Sequence, residues 1–359
     1  MEYSFDDIRK KFTVVKESFG KVNILLLGKT GVGKSTLINA FFQEDLAETG
    51  IGRPVTQNVR EYTKEDSFLR LFDTKGMELK DYKTILQGLK ELITSRNTEN
   101  EADHIHLAWF CIQCESKRVE DAELNLINEL AERIPVVVIL TQCLSRKVAD
   151  QLEEVVLHGA PSVKKVVRVL ARDYETDLGV HRAFGLDTLE EVSEQLIPEA
   201  FRKAFVSAQK VSLKAKKNRA DKVVLGAAST AAGVCAVPIP LSDAIAIAPI
   251  QISMLAGINL VMGLKSTDDF LKSLVMIAGG VGGATHVGRL VFSNIMKMIP
   301  GAGQIIGGIV SSTTAAAITT AMGEAYIAAL VFMIASGIDL TPENIGNYFK
   351  KVLNKEIKD

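Results

Sequence analysis

"LLLGKTGVGKSTLINAFF", residues 25–42, joins an apolar run to an amphipathic one through a loop rich in glycine and lysine. The segment Gly28–Ser35 fits the pattern G-x-x-x-x-G-K-S, whose glycines let backbone N–H groups turn toward phosphate oxygens at a helix start. In this pattern Lys34 reaches the β- and γ-phosphates and Ser35 binds Mg²⁺. The predicted nucleotide-binding residues of this segment are Gly28, Lys29, Thr30, Gly31, Val32, Gly33, Lys34, Ser35 and Thr36.

Two downstream segments extend this prediction. Asp73-Thr74-Lys75-Gly76 ends the apolar run FLRLF, and in a D-x-x-G arrangement the Asp holds Mg²⁺ while the Gly N–H contacts the γ-phosphate. Thr56, in "RPVTQNV", occupies the place of a threonine that closes over Mg²⁺ when a γ-phosphate is present. The predicted metal ligands are Ser35, Thr56 and Asp73, and the predicted catalytic groups are Lys34, Thr56 and Gly76.

The glycine-rich loop lies within an alternation of short apolar runs and longer helical patterns. The runs are VNILLLG, FLRLFD, HIHLAWFCI, VVVILT and VVRVLA, and a helical pattern follows each of them. Apolar runs of this length, each followed by a helix, are typical of a mainly parallel sheet covered on both faces. The predicted fold is therefore an α/β nucleotide-binding domain.

Residues 22–196 resemble the Era-like, translation-factor-related P-loop GTPases through "GKTGVGKSTLINAFF", "PVTQNV" and "DTKGME". The remainder is similar to an uncharacterised hydrophobic helical domain that follows GTPase domains in many bacterial proteins. The segments that carry this similarity are "AVPIPLSDAIAIAPIQISMLAGI" and "KMIPGAGQIIGGIVSSTTAAAITTAMGEAYI". A weaker likeness is to the immunity-related GTPases. The resemblance implies a Ras-like P-loop domain followed by helices, GTP as ligand and substrate, and Mg²⁺ as cofactor.

The chain departs from that family at the base-recognition motif. Thr141-Gln142-Cys143-Leu144 stands where the family has Asn/Thr-Lys-x-Asp. Thr141 and Gln142 are predicted to contact the nucleotide, but Leu144 cannot accept the hydrogen bonds that guanine donates from N1 and N2. GTP is expected from the resemblance, and ATP is the alternative.

A second departure concerns hydrolysis. Met77 follows Gly76, where many GTPases have the glutamine that orients the attacking water. We therefore expect slow intrinsic turnover unless a partner or a second copy completes the site. The alternative is a nucleotide-binding scaffold that does not hydrolyse its ligand.

Composition divides the chain near Lys222, because Val223–Ile338 carries very few charges. The predicted domains are an N-terminal helix at 1–20, a GTPase domain at 21–197, a basic linker helix at 198–222 and a Gly/Ala-rich all-helical domain at 223–359. The basic linker is expected to face anionic lipid headgroups. A formal net charge of −1, and the lack of a concentrated basic surface outside 202–222, argue against nucleic acid as a partner.

Two segments of the charge-poor block, 244–264 and 301–322, reach the roughly 20 residues that a spanning helix needs. G-x-x-x-G spacings at Gly279/Gly283 and Gly303/Gly307 suit close helix packing in lipid. The expected location is cytoplasmic and membrane-associated. The expected partners are a guanine nucleotide, membrane lipid and a second copy of the chain, bound through either domain. The alternative is a soluble helical bundle that acts as a dimerisation or effector module.

Two further clusters have structural interpretations. Cys111 and Cys114 form a C-x-x-C, but without a second pair they are predicted to pack in the core. His104 and His106 alternate at the start of an apolar run and are predicted to lie on the surface at a strand edge.

Overall fold

The computed structural model describes residues 5–42, 53–54, 59–63, 67–74, 82–177, 179–234, 239–240, 247–264, 267, 309–310 and 312–354. The chain divides into two compact units. Phe19–Ser212 forms one, here called the α/β unit, and Met1–Ser18 together with Leu213–Asp359 forms the other, here called the helical unit. Both ends of the chain therefore belong to the helical unit.

The α/β unit is built on a seven-stranded sheet of order β2-β3-β4-β1-β5-β6-β7. Its strands are β1 (Val22–Leu27), β2 (Arg53–Pro54), β3 (Val59–Thr63), β4 (Leu69–Thr74), β5 (Leu107–Gln113), β6 (Val136–Thr141) and β7 (Lys165–Arg168). From β4 to β7 all neighbours are parallel, whereas β3 is antiparallel to both β2 and β4. A separate hairpin consists of β8 (Tyr174–Thr176) and β9 (Gly179–His181). The predicted mainly parallel α/β fold is confirmed.

A helix follows each of the five parallel strands. The helices of this unit are α2 (Lys34–Phe41), α3 (Tyr82–Arg96), α4 (Asp121–Ala131), α5 (Arg146–Gly159), α6 (Leu186–Leu196) and α7 (Glu199–Ala208), while α1 (Phe5–Glu17) belongs to the helical unit. Trp109 of β5 is fully buried, stacks on Phe42 at 5.7 Å and donates its indole N–H to Ser193 at 3.0 Å. Trp109 is the chain's single tryptophan, so its fluorescence reports on this unit alone.

The predicted linker helix at 198–222 consists in the structure of two helices, α7 and α8 (Leu213–Val234). Between them the Gln209 side chain accepts hydrogen bonds from the N–H groups of Val211 and Ser212, at 2.6 and 2.7 Å. The two N–H groups thus bond to a side chain and not to the carbonyls of a continuous helix, and the chain is interrupted between α7 and α8. The first helix lies in the α/β unit and the second in the helical unit.

The helical unit has an all-helical core with one short strand pair. Its described elements are α1, α8, α9 (Ala248–Met262), α10 (Ser312–Ala335), α11 (Pro342–Leu353), β10 (Ile239–Pro240) and β11 (Ile309–Val310). A Cβ on Gly323 of α10 would lie 2.5 Å from Val224 Cγ2 and 3.1 Å from Met254 Sδ. Because Gly323 has no side chain, α8 and α9 pack closely against α10 at this position.

Polar groups inside the helical unit have specific partners. The Tyr326 hydroxyl donates to Asn259 Oδ1 at 2.9 Å, and both residues are buried. Lys216 of α8 is also buried and donates to the Met262 carbonyl, at 3.0 Å, in the last turn of α9. The carbonyls at a helix C-terminus lack intrahelical partners and attract a cation.

The prediction that the basic run faces lipid headgroups is wrong for two of its members. Lys216 and Arg219 are both only 4% exposed, whereas Lys214 and Lys217 on the same helix are exposed. The two pairs lie on different faces of α8. The face with Lys216 and Arg219 packs inside the helical unit, and the face with Lys214 and Lys217 is exposed to solvent.

Among the described residues, α10 is the one helix that is long and apolar enough to cross a membrane. Of its most apolar 18-residue window, 56% is buried inside the protein, which also fits the core helix of a soluble bundle. The predicted span at 244–264 contains α9, whose 15 residues are short for a bilayer. The G-x-x-x-G pairs at 279/283 and 303/307 lie outside the described residues.

Candidate functional site

The candidate site lies at the carboxyl edge of the sheet. Strands β1, β4, β5 and β6 are mutually parallel in the order β4-β1-β5-β6, so their last residues reach the same edge. The register pairs Leu26 with Asp73 and Gln113 with Thr141. Segments far apart in sequence thus meet around the glycine-rich loop that follows β1.

The loop depends on its glycines. Gly28, Gly31 and Gly33 have φ of 138°, 79° and 96°, in the region that favours glycine. A Cβ on Gly28 would lie 2.5 Å from the carbonyl oxygen of Cys111. The Lys34 ammonium, at the start of α2, donates to the carbonyls of Gly28 at 2.7 Å and Lys29 at 3.0 Å, and so lies across the loop.

The side chain of Lys29 has other partners. Its ammonium lies 2.6 Å from Glu120 Oε1 and 3.3 Å from Glu123 Oε2. Glu120 is the N-cap of α4 and forms a capping box with Glu123. This ion pair holds the pKa of Glu120 below its usual value. Lys29 therefore connects the glycine-rich loop to the N-terminus of α4.

The predicted base-loop residues also contact the glycine-rich loop. The Thr141 hydroxyl donates to the Val32 carbonyl at 2.5 Å, and the Ile112 carbonyl lies 3.2 Å from it. Gln142 has a φ of 53°, and its Oε1 accepts from Gln113 Nε2 at 2.9 Å. The ends of β5 and β6 are thereby joined to the loop after β1.

A cavity of about 330 Å³ adjoins this junction. Residues of the glycine-rich loop, of α2, and of the segments after β5, β6 and β7 line it: Gly33, Thr36, Leu37, Gln113, Glu115, Thr141, Gln142, Leu144, Val169, Leu170, Ala171, Arg172 and Tyr174. Sequence reasoning did not single out Glu115, although an acidic residue two positions after an apolar strand was a usable signal. Glu115 and Leu144 therefore line the same cavity.

Asp73, at the end of β4, has the environment of a metal ligand. Burial raises the pKa of this carboxyl to about 6, against the opposing charges of Lys34 and Arg60. Its Oδ1 is buried and has no hydrogen-bond partner among the described residues. A buried carboxylate oxygen of this kind fits a hard cation such as Mg²⁺, and Ser35 is exposed in the first turn of α2. The remaining predicted residues of this site, Thr56, Gly76 and Met77, lie outside the described residues.

His106 corrects a prediction. It was expected on the surface but is 4% exposed. Its Nδ1 accepts from the N–H of Asn23 at 2.9 Å, its Nε2 lies 3.1 Å from the Glu101 carbonyl, and its ring stacks on Phe201 at 4.0 Å. Burial lowers the pKa of the imidazole to about 4. This histidine is a neutral core residue that joins β1 to the start of β5.

The cysteines near the site are buried as well. Cys111, Cys114 and Cys143 are free thiols, and burial raises the pKa of Cys111 to about 12. A thiol with so high a pKa is unreactive near neutral pH. Within the described part of the chain, no group of three His, Cys, Asp or Glu side chains is placed to hold a metal. The burial of the three thiols agrees with packing.

One family model matches part of the α/β unit. Residues 23–142 match the family model described as "50S ribosome-binding GTPase", which covers one third of the chain. The mainly parallel sheet with flanking helices matches the fold of a P-loop GTPase domain. No curated protein sequence matches the chain.

Solved structures similar to the chain include three proteins at low identity. The septin GTPase domain from Chlamydomonas reinhardtii is 17% identical (TM-score 0.33), with 51% of this chain and 90% of that chain covered. Toc33 from Arabidopsis thaliana, a dimerization-deficient mutant, is 16% identical (TM-score 0.33), with 57% and 94% covered. The translation elongation factor SelB from Methanococcus maripaludis is 16% identical (TM-score 0.31), with 50% and 33% covered, so the chain spans a third of it. At these values no functional argument rests on the three.

Proposed function

We propose that the protein is a Mg²⁺-dependent GTP-binding switch that hydrolyses GTP slowly and acts through its helical unit. The observation that carries this proposal is the meeting of Lys34, Asp73 and Thr141 around one glycine-rich loop. A cation, a buried carboxylate and a base-loop anchor at one strand edge are the parts that triphosphate binding requires.

Each residue has a chemical role in this proposal. The N–H groups of Gly28–Gly33 and the Lys34 ammonium bind phosphate oxygens. Ser35 and Asp73 would hold Mg²⁺, which would offset negative charge on the phosphates. The motif patterns assign Thr56 to the Mg²⁺ site and the Gly76 N–H to the γ-phosphate. Water attacks the γ-phosphorus, and GDP and phosphate leave.

The expected rate is low, because the Met77 thioether has no group that orients water. Phosphate release under multiple turnover, with GTP or ATP and Mg²⁺, tests the reaction. We expect slow GTP hydrolysis that the Lys34→Ala variant loses. If wild type and variant release phosphate equally slowly, the protein is a non-hydrolysing scaffold; a preference for ATP would make it an ATPase.

For the helical unit we propose membrane association, with self-association through either unit as the alternative output. The apolar character of α10 and the low charge of 223–338 support it. Contacts of the γ-phosphate with Thr56 and with the Gly76 N–H, as the motif patterns assign them, would drive the change. Liposome flotation with GDP or a non-hydrolysable GTP analogue is the test. Flotation in one nucleotide state supports the switch. Protein that stays at the bottom in every state is a soluble bundle.

A further inference from the structure

We propose that Glu115 is the guanine-specificity residue of this site and replaces the carboxylate that the base loop lacks at Leu144. This inference rests on the proposed binding of a guanine nucleotide. Glu115 lies in a 3₁₀ turn, Cys114–Ser116, that directly follows β5. The acceptor thus comes from the neighbouring strand rather than from the loop after β6.

The two residues line the same cavity. Leu144 reaches it from the loop after β6 and Glu115 from the turn after β5, and these strands are parallel neighbours in the sheet. A hydrogen bond from Gln113 to Gln142 links the ends of β5 and β6. Among the residues that line this cavity, Glu115 is the single carboxylate.

The carboxylate of Glu115 also has an oxygen that can accept a hydrogen bond from a ligand. Its Oε1 is buried and has no hydrogen-bond partner among the described residues. A buried polar atom without a hydrogen-bond partner is costly, so a ligand that donates a hydrogen bond to it removes that cost. By contrast, Glu120 and Glu123 nearby are engaged with Lys29 and with the start of α4.

Base chemistry then sets the preference. Guanine presents two adjacent donors, N1–H and the N2 amino group, and a carboxylate accepts from both. Adenine presents one donor, the N6 amino group, beside the lone pair of N1, which a carboxylate repels. A site built to accept two hydrogen bonds discriminates strongly against a ligand that lacks one, because a buried acceptor is left unpaired.

The test uses the full chain and competition against a fluorescent GTP analogue by GTP, ATP and xanthosine triphosphate. In Glu115→Gln, the side-chain amide offers one acceptor and one donor. This pair matches xanthine, whose N1–H lies beside a C2 carbonyl. We expect the ratio of GTP to xanthosine triphosphate affinity to fall at least tenfold. The matched control, Glu132→Gln, removes an exposed carboxylate just after α4 and should leave every ratio unchanged.

The outcomes separate this inference from the proposed function. If wild type binds GTP but Glu115→Gln keeps its affinity ratios, Glu115 is not the specificity residue and the GTP assignment stands. Equal loss of GTP and ATP affinity also overturns the inference, because a base-recognition residue changes the ratio rather than both affinities together. If wild type does not bind GTP, both proposals fail. Trp109 fluorescence confirms that each variant is folded.

Discussion

The ammonium groups of Lys29 and Lys34, which are five residues apart in the glycine-rich segment, bind different partners. Lys34 donates to the Gly28 carbonyl at 2.7 Å, within the loop, whereas Lys29 pairs with Glu120 at 2.6 Å. We expect Lys34→Ala to lower affinity for a non-hydrolysable GTP analogue at least 100-fold, because it removes the cation that meets the phosphates. Lys29→Ala is the matched control and should change affinity less than threefold. Calorimetric titration with Mg²⁺ measures both. Similar losses in the two variants would contradict this division of roles.

Leu144→Asp should increase discrimination for guanine, since it adds the acceptor that the base loop lacks. We expect the ratio of GTP to ATP affinity to rise at least tenfold in competition binding. In the Glu115→Gln background the same change should restore the preference for GTP over xanthosine triphosphate. An unchanged ratio in both backgrounds would show that the base binds away from this cavity.

Asp73→Asn should uncouple the site from Mg²⁺ while stabilising the nucleotide-free protein. Because burial raises the pKa of Asp73 to about 6, the folded state holds a proton that the unfolded chain releases near pH 4. Stability from this group therefore falls as pH rises from 4 to 6 and stays low above that. At pH 8 the amide should add about 2 kcal/mol to the free energy of unfolding, which is below the limit that the pKa change sets. Urea titration followed by Trp109 fluorescence measures this, and a loss of stability would contradict it.

The prediction for His106 has the opposite sign. Burial lowers the pKa of this imidazole to about 4, so the unfolded chain takes up a proton below pH 6.5 and the folded chain does not. The stability that neutral His106 contributes is complete above pH 6.5 and declines from there to pH 4. The loss is at most about 3 kcal/mol. Between pH 7.5 and 5, the free energy of unfolding of His106→Gln should change less than that of wild type, as measured by urea titration at each pH. Parallel pH profiles would show that His106 is not the titrating group.

The core of the α/β fold was predictable because its central strands β1 and β6 are buried along their whole length. All six residues of β1 and of β6 are buried, which gives continuous apolar runs in the sequence. Strand β3 was missed, since Val59–Thr63 is mostly half-buried and carries charged residues. The glycine-rich loop was predictable because its spacing is local.

Contacts between distant segments were not predictable in the same way. Glu115 approaches Leu144 only because β5 and β6 are neighbours in the sheet, and sheet order is not written in any short motif. The burial of Lys216 likewise depends on where the last turn of α9 lies. A charge in an exposed-looking basic run gave no sign that it would bind carbonyls inside a helical core.

Gly323→Ala should destabilise the helical unit. Its new Cβ would lie 2.5 Å from Val224 Cγ2, so the Val224 side chain or one of the two helices must shift. Such overpacking costs about 1–3 kcal/mol. Gly226→Ala on α8 is the control, because its Cβ would meet nothing within 4 Å and alanine favours a helix by up to about 1 kcal/mol. Circular dichroism at 222 nm during thermal unfolding should show opposite shifts. A stabilised Gly323→Ala would contradict the close packing.

The assignment of α1 and α8–α11 to one unit affects the order of events during synthesis. The first eighteen residues emerge from the ribosome before the α/β unit, yet Val15 of α1 lies beside Gly257 of α9. At roughly 5–20 residues per second, the ribosome takes on the order of 10–50 s to deliver that partner. The α/β unit can fold as a unit during this delay, while α1 still lacks its packing surface.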